Sequence, residues 1–264
     1  MAKRRKGNAP WGGSPAVLAL RRRAVLAPKA LYGSALARVH AEGFEPASLA
    51  ALPALRRCLR RAPEGSVLEL GSGAGGVLAA LKADGFAIRG LEPSPAFRRL
   101  ARARHGALPL RPGTVDTAPA GPWAAILALG EVLNYRSPEG TIDPWAKKLR
   151  RLARSLMPGG VLLFDLMVQG LEPLPSAGWR QEEGWFVAFR FSEKGRHGQR
   201  EIVTFHKEAG AWRRDAELHR VDMPTVAELE KALQGAGLVY QLKSSWGRFA
   251  LPPRRLAVEA WRRG

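Results

Sequence analysis

The fold is decided by residues 66–76, which read SVLELGSGAGG. The apolar run 66–70 predicts a short buried strand, and the glycine-rich run 71–76 predicts a tight turn. Helical spacing of the apolar residues follows from Val77 to Ala83. Glycine has no Cβ, so a turn of this kind lets the backbone approach a bound nucleotide closely. The stretch therefore predicts a strand–turn–helix unit that holds a nucleotide-type cofactor.

An acidic residue follows the next predicted strand. Residues 86–91 form a second apolar run, and Glu92 comes directly after it, 21 positions past Gly71. An acid at this spacing is placed to accept hydrogen bonds from ribose hydroxyls. Together with the glycine turn, it favours a nucleotide-type cofactor over the competing interpretation, a loop glycine cluster beside a surface glutamate.

Strands and helices alternate from residue 95 to residue 166. The predicted elements are a helix at 95–104, a short third strand at 107–110, a strand at 124–129, an amphipathic helix at 143–156 and, after the turn 158–160, a strand at 161–166. These strands are mostly apolar rather than alternating, which is typical of strands buried on both faces. We therefore predict an α/β fold with a mostly parallel sheet and helices on both faces.

The pattern changes after Met167, where helical spacing is lost. Strand-like runs occupy 185–191, 201–206 and 212–221, and glycines that signal turns lie between them at Gly195, Gly198 and Gly210. This pattern predicts an antiparallel insert. The α/β pattern then resumes with a helix that Thr225 caps and that ends at Ala236, followed by strands at 238–242 and 256–261.

Four regions follow from these patterns. We expect a basic flexible arm at 1–28, a helical cap at 29–62, a cofactor-binding α/β domain made of 63–168 and 222–264, and an antiparallel insert at 169–221 that covers the acceptor site. The arm is assigned from charge, because no acidic residue precedes Glu42. A mobile basic arm of this kind is suited to touch an anionic surface.

Composition narrows the class of protein. The 264 residues carry 42 Lys and Arg against 23 Asp and Glu, a formal net charge of +19, and 46% are apolar, which is enough for a sizeable core. Because basic residues lie along the whole chain, we favour a solvated cationic surface over a nucleic-acid footprint. The single cysteine, Cys58, excludes a disulfide framework and favours a reducing, cytoplasmic location. We expect neither a metal site nor a membrane span.

Three segments resemble the motifs of class I S-adenosylmethionine-dependent methyltransferases. Residues 67–75, VLELGSGAG, are similar to the first motif of that family, 90–95, GLEPSP, to the second, and 156–165, LMPGGVLLFD, to its fifth strand and the turn before it. Residues 128–135, 212–219 and 247–253 are similar to segments of an uncharacterised bacterial subgroup of these methyltransferases. The resemblance spans roughly residues 32–261 and implies a Rossmann-like sheet with a β insert after the fifth strand.

The resemblance implies S-adenosylmethionine as the cofactor and assigns roles by position. Glu69 matches the acid that helps to hold the amino end of the methionine moiety, and Glu92 matches the acid that takes both ribose hydroxyls. Further cofactor contacts are implied at Gly71, Ser72, Gly73, Pro93, Thr114, Val115, Leu129 and Gly130. Where many relatives carry Gly-Asp near the adenine, this chain reads Gly113-Thr114-Val115-Asp116, and Thr114 offers a hydroxyl.

Candidate catalytic residues follow the fourth strand and lie within the insert. Glu131, Asn134 and Tyr135 come after that strand, at the sheet edge where parallel sheets bind ligands. Glu217 and His219 are two positions apart on a predicted strand, so their side chains share a face that is placed to present a base. The competing interpretations are a capped loop for the first set and a surface salt link for the second.

The leading functional interpretation is methyl transfer to a small-molecule acceptor by in-line attack, catalysed mainly by positioning and exclusion of water. A second hypothesis makes RNA the acceptor through the basic arm, but the chain has no Asn/Asp-Pro-Pro-aromatic sequence after the fourth strand. A third is an NAD-dependent oxidoreductase, for which no Tyr-Lys, His or Ser constellation is recognisable. A fourth is a binding-only relative with a decayed site.

Overall fold

The computed structural model of this protein describes residues 31–136, 144–170 and 172–264. The predicted arm at 1–28 lies outside these residues. Three helices open the described chain: α1 (Ser34–Gly43), α2 (Glu45–Leu49) and α3 (Leu52–Leu59). They lie within the helical segment predicted at 29–62. No helix among the described residues is long and apolar enough to cross a membrane.

Strands and helices then alternate as predicted. The elements are β1 (Val67–Leu70), α4 (Gly76–Ala83), β2 (Ile88–Leu91), α5 (Pro95–His105), β3 (Leu110–Arg111), β4 (Trp123–Ala128), α6 (Trp145–Arg154) and β5 (Leu156–Met167). Strand β1 pairs in parallel with β2 and β4, β2 with β3, and β4 with β5. Parallel pairing brings the carboxyl ends of these strands to one edge of the sheet, the edge at which folds of this kind bind ligands.

A separate antiparallel sheet follows β5. Its four strands are β6 (Ala177–Glu182), β7 (Trp185–Lys194), β8 (His197–Glu208) and β9 (Ala211–Asp222), paired in that order. The sequence predicted three of them, and β6 was missed. One turn assignment is wrong: Gly198 lies inside β8, where a Cβ would come within 2.7 Å of Val221 and 2.8 Å of Phe191. That glycine makes room for two side chains rather than for a turn.

The chain then returns to the main sheet. Helix α7 (Val226–Gly235) begins with the predicted cap, since Thr225 Oγ1 accepts a hydrogen bond from the Glu228 amide at 3.1 Å and Glu228 Oε2 accepts one from the Thr225 amide at 2.8 Å. The last strands are β10 (Leu238–Lys243), the short hairpin β11 (Ser245–Trp246) and β12 (Phe249–Ala250), and β13 (Arg255–Arg262). Strand β13 runs antiparallel to both β10 and β5 and completes a seven-stranded sheet of order β10-β13-β5-β4-β1-β2-β3.

The sheet is buried on both faces. Ile126 of β4 belongs to a core cluster with Leu149 of α6 and Leu233 of α7, whereas its neighbour Leu127 belongs to a cluster with Leu55 of α3 on the opposite face. Successive side chains of a strand point to opposite faces, so an all-apolar strand supplies both layers. The predicted class of fold, mostly parallel with helices on both faces, is confirmed.

The antiparallel sheet is fastened to the rest of the protein through apolar contacts. Trp185 and Ile202 pack with Leu36 and Val39 of α1. Phe191 and Val221 form a second cluster with Met167, the last residue of β5, and with Met223. These contacts hold the antiparallel sheet beside the carboxyl edge of the parallel strands.

Candidate active site

The glycine bend lies at the carboxyl end of β1. Gly71 and Gly73 both have left-handed backbone conformations, with φ of +69° and +55°. A Cβ at Gly71 would come within 2.4 Å of Cγ2 of Val132, so the loop after β4 packs directly on this turn. A Cβ at Gly73 would meet no atom within 4 Å. The backbone at Gly73 is therefore open to a ligand, and the bend as a whole requires glycine.

The carboxylate of Glu92 faces this bend. Its Oε2 accepts a hydrogen bond from the Gly73 amide at 3.0 Å, and its Oε1 accepts one from the Ser94 amide at 2.7 Å. Glu92 is 4% exposed, and burial raises the pKa of its carboxyl, while the two amides and Arg98 oppose that rise. The structure thus brings together the bend and the acid that the sequence placed 21 positions apart. Pro93, between Glu92 and Ser94, is exposed.

Glu69 is a second buried acid next to the bend. Its Oε2 has no hydrogen-bond partner among the described residues, and neither does Ser72 Oγ. Burial raises the pKa of Glu69 to about 7, and the nearby Ser72 hydroxyl lowers it in part without reaching hydrogen-bond geometry. A buried acceptor without a partner is costly unless a ligand satisfies it. The ammonium group of a methionine moiety has the donors and the charge that this oxygen lacks.

The loop after β3 places Thr114 in a local turn. Its Oγ1 accepts a hydrogen bond from the Asp116 amide at 3.1 Å, and its own amide donates to Thr117 Oγ1 at 2.8 Å. Val115 is half-buried and packs against the core on the α6 side of the sheet. The turn itself therefore holds the Thr114 oxygen, which leaves its hydroxyl proton as the polar group offered to a ligand.

The loop after β4 is held by a buried acid on β5. The amides of Gly130 and Glu131 donate to Asp165 Oδ2 and Oδ1 at 2.9 and 3.0 Å. Both residues are left-handed, and for Glu131, with φ of +63°, that conformation is unfavourable by roughly 1–3 kcal/mol. Burial raises the pKa of Asp165 to about 6. Leu129, predicted to touch the cofactor, is buried in the core cluster on the α3 side.

Glu131 itself lies between two arginines. Arg200 of β8 donates to Glu131 Oε2 at 3.3 Å, and the Arg255 guanidinium at the start of β13 contacts Glu131 Oε1. Burial lowers the pKa of Arg255 to about 10, so the guanidinium remains charged at neutral pH. A carboxylate bound by two cations is a weak proton acceptor, because both charges favour its ionised form. This arrangement suits orientation of the loop better than proton transfer.

Tyr135 and the strand β9 meet at the same edge. Tyr135 pairs with Val221 as an isolated bridge, and its hydroxyl lies 2.9 Å from the hydroxyl of Tyr32. Asn134 is fully buried and bonds to the backbone of β5 and β9, with Nδ2 at 2.9 Å from Met167 O and 2.8 Å from Asp222 O. Asn134 therefore has a structural role, whereas Tyr135 presents its ring and hydroxyl to the site.

Glu217 and His219 share a face of β9, as their spacing predicted, and both are buried. Glu217 Oε2 lies 2.9 Å from His219 Nε2. The same carboxylate accepts hydrogen bonds from the amides of Tyr32 and Gly33, both at 2.8 Å. His219 is 1% exposed, and its Nδ1 has no hydrogen-bond partner among the described residues. A surface salt link is therefore the wrong description of this pair.

Two tyrosine rings, Tyr32 and Tyr135, contact His219. The centroid of the Tyr32 ring lies 4.9 Å from the ring centroids of both His219 and Phe97, and 5.3 Å from the ring centroid of His40. Burial is the main cause that raises the pKa of Tyr32 well above its usual value, and the neighbouring Tyr135 adds to it. Burial lowers the pKa of His40 to about 4, so this second histidine is neutral at physiological pH.

Four residues of the site were not predicted from the sequence. Tyr32 and Ser94 join through a hydrogen bond from Ser94 Oγ to the Tyr32 carbonyl at 2.6 Å, and Arg200 and Arg255 bind Glu131. Ser94 lies within the segment 90–95 that resembles the second family motif, two positions after Glu92, and that closeness was the available signal for it. Tyr32, Arg200 and Arg255 belong to no local motif and come from distant parts of the chain. For the two arginines the only signal was the abundance of arginine, which does not single out two positions among many.

Comparisons with known proteins identify the family. A profile of the methyltransferase domain family matches residues 45–242. A comparison with curated proteins finds no significant match.

Solved structures with the same fold include several methyltransferases. An S-adenosylmethionine-dependent methyltransferase from Clostridium acetobutylicum ATCC 824 is 15% identical, with a TM-score of 0.69 over 86% of this chain and 98% of that one. The sugar N-methyltransferase KedS8 from Streptoalloteichus is 22% identical, with a TM-score of 0.67 over 92% and 100%. CalS10, an amino pentose methyltransferase from Micromonospora echinaspora solved with bound S-adenosylmethionine, is 23% identical, with a TM-score of 0.64 over 89% and 99%. At these identities the likeness establishes the fold, and the profile match establishes that the chain belongs to the methyltransferase domain family, with the class I architecture of S-adenosylmethionine-dependent enzymes.

Proposed function

We propose that this protein transfers the methyl group of S-adenosylmethionine to a small-molecule acceptor. The observation that carries the proposal is the contact of the Glu92 carboxylate with the open backbone of Gly73, beside the unpartnered oxygen of Glu69. Together these groups offer a buried edge with acceptors for hydroxyls and for an ammonium. The sugar methyltransferases KedS8 and CalS10, which share the fold, support a small acceptor. RNA methylation and NAD-dependent oxidation are not favoured by the family.

The proposed roles on the cofactor side follow from burial and charge. Glu92 accepts hydrogen bonds from the ribose hydroxyls through the lone pairs that its two amide partners leave. Glu69 holds the amino group, the glycine bend passes beneath the cofactor, and the loops that carry Thr114 and Gly130 bound the site. When bound, S-adenosylmethionine supplies a methyl group that its sulfonium already activates. The protein therefore contributes mainly position and exclusion of water.

His219 is the proposed base on the acceptor side. A carboxylate only accepts hydrogen bonds, so in neutral His219 the proton resides on Nε2, facing Glu217, and Nδ1 carries a free lone pair. That nitrogen is buried and unpartnered among the described residues, which suits it to take a proton from an acceptor hydroxyl or ammonium. Tyr135 lines the site beside it, and Glu131 positions the loop after β4.

In the proposed domain organisation, two segments of the chain cover the acceptor side of the site. The insert at 169–221 carries Glu217 and His219 and closes the acceptor side, while the helical segment at 29–62 brings Tyr32 to the same place. A cytoplasmic location in a bacterium remains a prediction, which rests on the single cysteine, Cys58, and on the resemblance to a bacterial subgroup.

We expect Glu92→Ala to abolish or weaken S-adenosylhomocysteine binding by at least tenfold, because the ribose hydroxyls lose a charged acceptor worth about 1.5–3 kcal/mol. Isothermal titration calorimetry measures this affinity. Glu183→Ala, an exposed glutamate in the first turn of the insert, is the matched control and leaves the affinity unchanged. Equal affinity in the two variants, with both folded by circular dichroism, contradicts the proposed cofactor site.

The raised pKa of Glu69 predicts that cofactor affinity depends on pH. Because its pKa is raised to about 7, the carboxyl is mostly neutral at pH 5.5, and binding of a cationic amino group then requires loss of a proton. The affinity for S-adenosylmethionine rises by about fifteenfold between pH 5.5 and 7, because the ionised fraction of the carboxyl rises from about 3% to about 50%. Glu69→Gln, which keeps the shape and removes the charge, binds weakly and shows a flat profile. If the affinity of Glu69→Gln depends on pH as steeply as that of the unaltered protein, a group other than Glu69 causes the dependence.

The His219 tautomer tests the acceptor side without knowledge of the acceptor. In ¹⁵N-histidine-labelled protein at pH 8.5, nuclear magnetic resonance should find the His219 proton on Nε2, since Nε2 faces Glu217. The His219→Asn spectrum identifies the signal, and Glu217→Gln should redistribute the tautomers because an amide can also donate. A proton on Nδ1 in the unaltered protein rules out this nitrogen as the base.

A further inference from the structure

Helix α6 has two contrasting faces. Leu149 and Leu152 are buried against the sheet, whereas the outer face carries Lys147, Arg150, Arg151 and Arg154. In the sequence these four cations are three, one and three positions apart. Because residues three or four positions apart are neighbours on a helix surface, the four form one stripe along the helix. The helix contains no acidic residue, and each like-charged pair at this spacing is unfavourable by roughly 0.2–0.5 kcal/mol. The usual mixture of charges on a solvated helix face is absent from this stripe.

The stripe forms one wall of a groove. The groove has a volume of about 860 Å³ and lies at the amino ends of β4 and β5. Arg262 of β13 adds a fifth cation, and the floor is formed by residues 120–122 and 155–158. No acidic side chain of the described residues lines it. Glu92 and His219 lie at the carboxyl edge of the same sheet, so the basic groove is at the opposite edge from the candidate active site.

The arginines of the groove have few carboxylate partners. Among the described residues, no carboxylate forms an ion pair with Arg150, Arg154 or Arg262, and Arg151 reaches one acid, Asp116, at 3.4 Å. The Arg262 guanidinium is held by the backbone carbonyls of Arg154 and Leu156. The positive charge of these arginines is therefore largely uncompensated within the part of the chain that the structure describes, and a concave wall of one sign concentrates its potential.

We propose that this basic groove binds single-stranded nucleic acid through its phosphates. A phosphodiester strand is a linear polyanion, and the stripe is an elongated band of cations in which residues three or four positions apart have their Cβ atoms about 5–6 Å apart. Guanidinium groups bind phosphate oxygens in pairs, and on this helix face the guanidinium groups of Arg150 and Arg154 have no carboxylate partner among the described residues. The Arg151 guanidinium is held by the carbonyls of Val115 and Asp116 and contributes its charge to the groove. The concave shape does not match a flat lipid surface. No aromatic side chain among the described residues lines the groove, so binding depends on the backbone rather than on base stacking.

The bound strand is a tether, not the methyl acceptor. It lies across the sheet from the candidate active site, and its binding does not require cofactor. This inference is therefore independent of the proposed methyl transfer, and either can fail alone.

The test is fluorescence anisotropy of a labelled 12-nucleotide uridine RNA with the full-length protein between 50 and 300 mM NaCl. Arg150→Ala/Arg154→Ala removes two groove cations. The matched control, Arg213→Ala/Arg214→Ala, removes two exposed arginines from β9 of the insert. Each phosphate contact to a single strand contributes about 0.7 to the slope of log K against log salt. The groove variant should therefore lose about 1.4 of slope and bind about 25-fold more weakly at 0.1 M salt.

The control variant should lose less than threefold, and thermal melting shows whether both variants remain folded. Equal losses in the two variants attribute the binding to net charge and overturn the proposal, as does unchanged binding in the groove variant. Polyglutamate that displaces the RNA at equal charge concentration assigns the groove to an acidic protein. Groove-dependent binding to phosphatidylserine vesicles in the absence of RNA binding assigns it to a membrane. A DNA 12-mer bound as tightly as the RNA supports recognition of the phosphates.

Discussion

The Glu92 carboxylate accepts hydrogen bonds from two segments of the chain at once, the bend after β1 and the start of α5. Each amide satisfies one oxygen of a buried charge that would otherwise be strongly unfavourable. The bend depends in turn on left-handed glycines and on the close packing of Val132 against Gly71. This one carboxylate therefore joins the glycine bend to the start of α5, beside the backbone pairing that holds the ends of β1 and β2 together, and the rest of the site is built outward from it.

A continuous series of hydrogen bonds links the cofactor side of the site to the acceptor side. Ser94, whose amide binds Glu92, donates its hydroxyl to the Tyr32 carbonyl. The Tyr32 amide donates to Glu217, which also contacts His219. The N-terminal segment thus lies between the two halves of the site and is hydrogen-bonded to both. This connection requires the insert to contact the N-terminal segment as well as the end of β5.

The sequence predicted local features well, because local features depend on neighbouring residues. The β1–turn–α4 unit, the acid after β2 and the cap at Thr225 each depend on residues within a few positions of one another. Arg200 and Arg255 meet Glu131 only after β8 has formed within the antiparallel sheet and β13 has paired with β5, so no spacing rule could find them. Gly198 was misread for the same reason: its small size serves the packing of Phe191 and Val221 from other strands. The first strand of the insert, β6, has little apolar character of its own and is defined by its pairing with β7.

The most direct test of the account is a crystal structure of the protein grown with S-adenosylhomocysteine. We expect density for the ribose hydroxyls within hydrogen-bond distance of the Glu92 carboxylate, with the amino group of the ligand at Glu69 Oε2. Density elsewhere, with the space beside Gly73 filled by side chains, would contradict the central claim that the bend and this carboxylate together form the cofactor site.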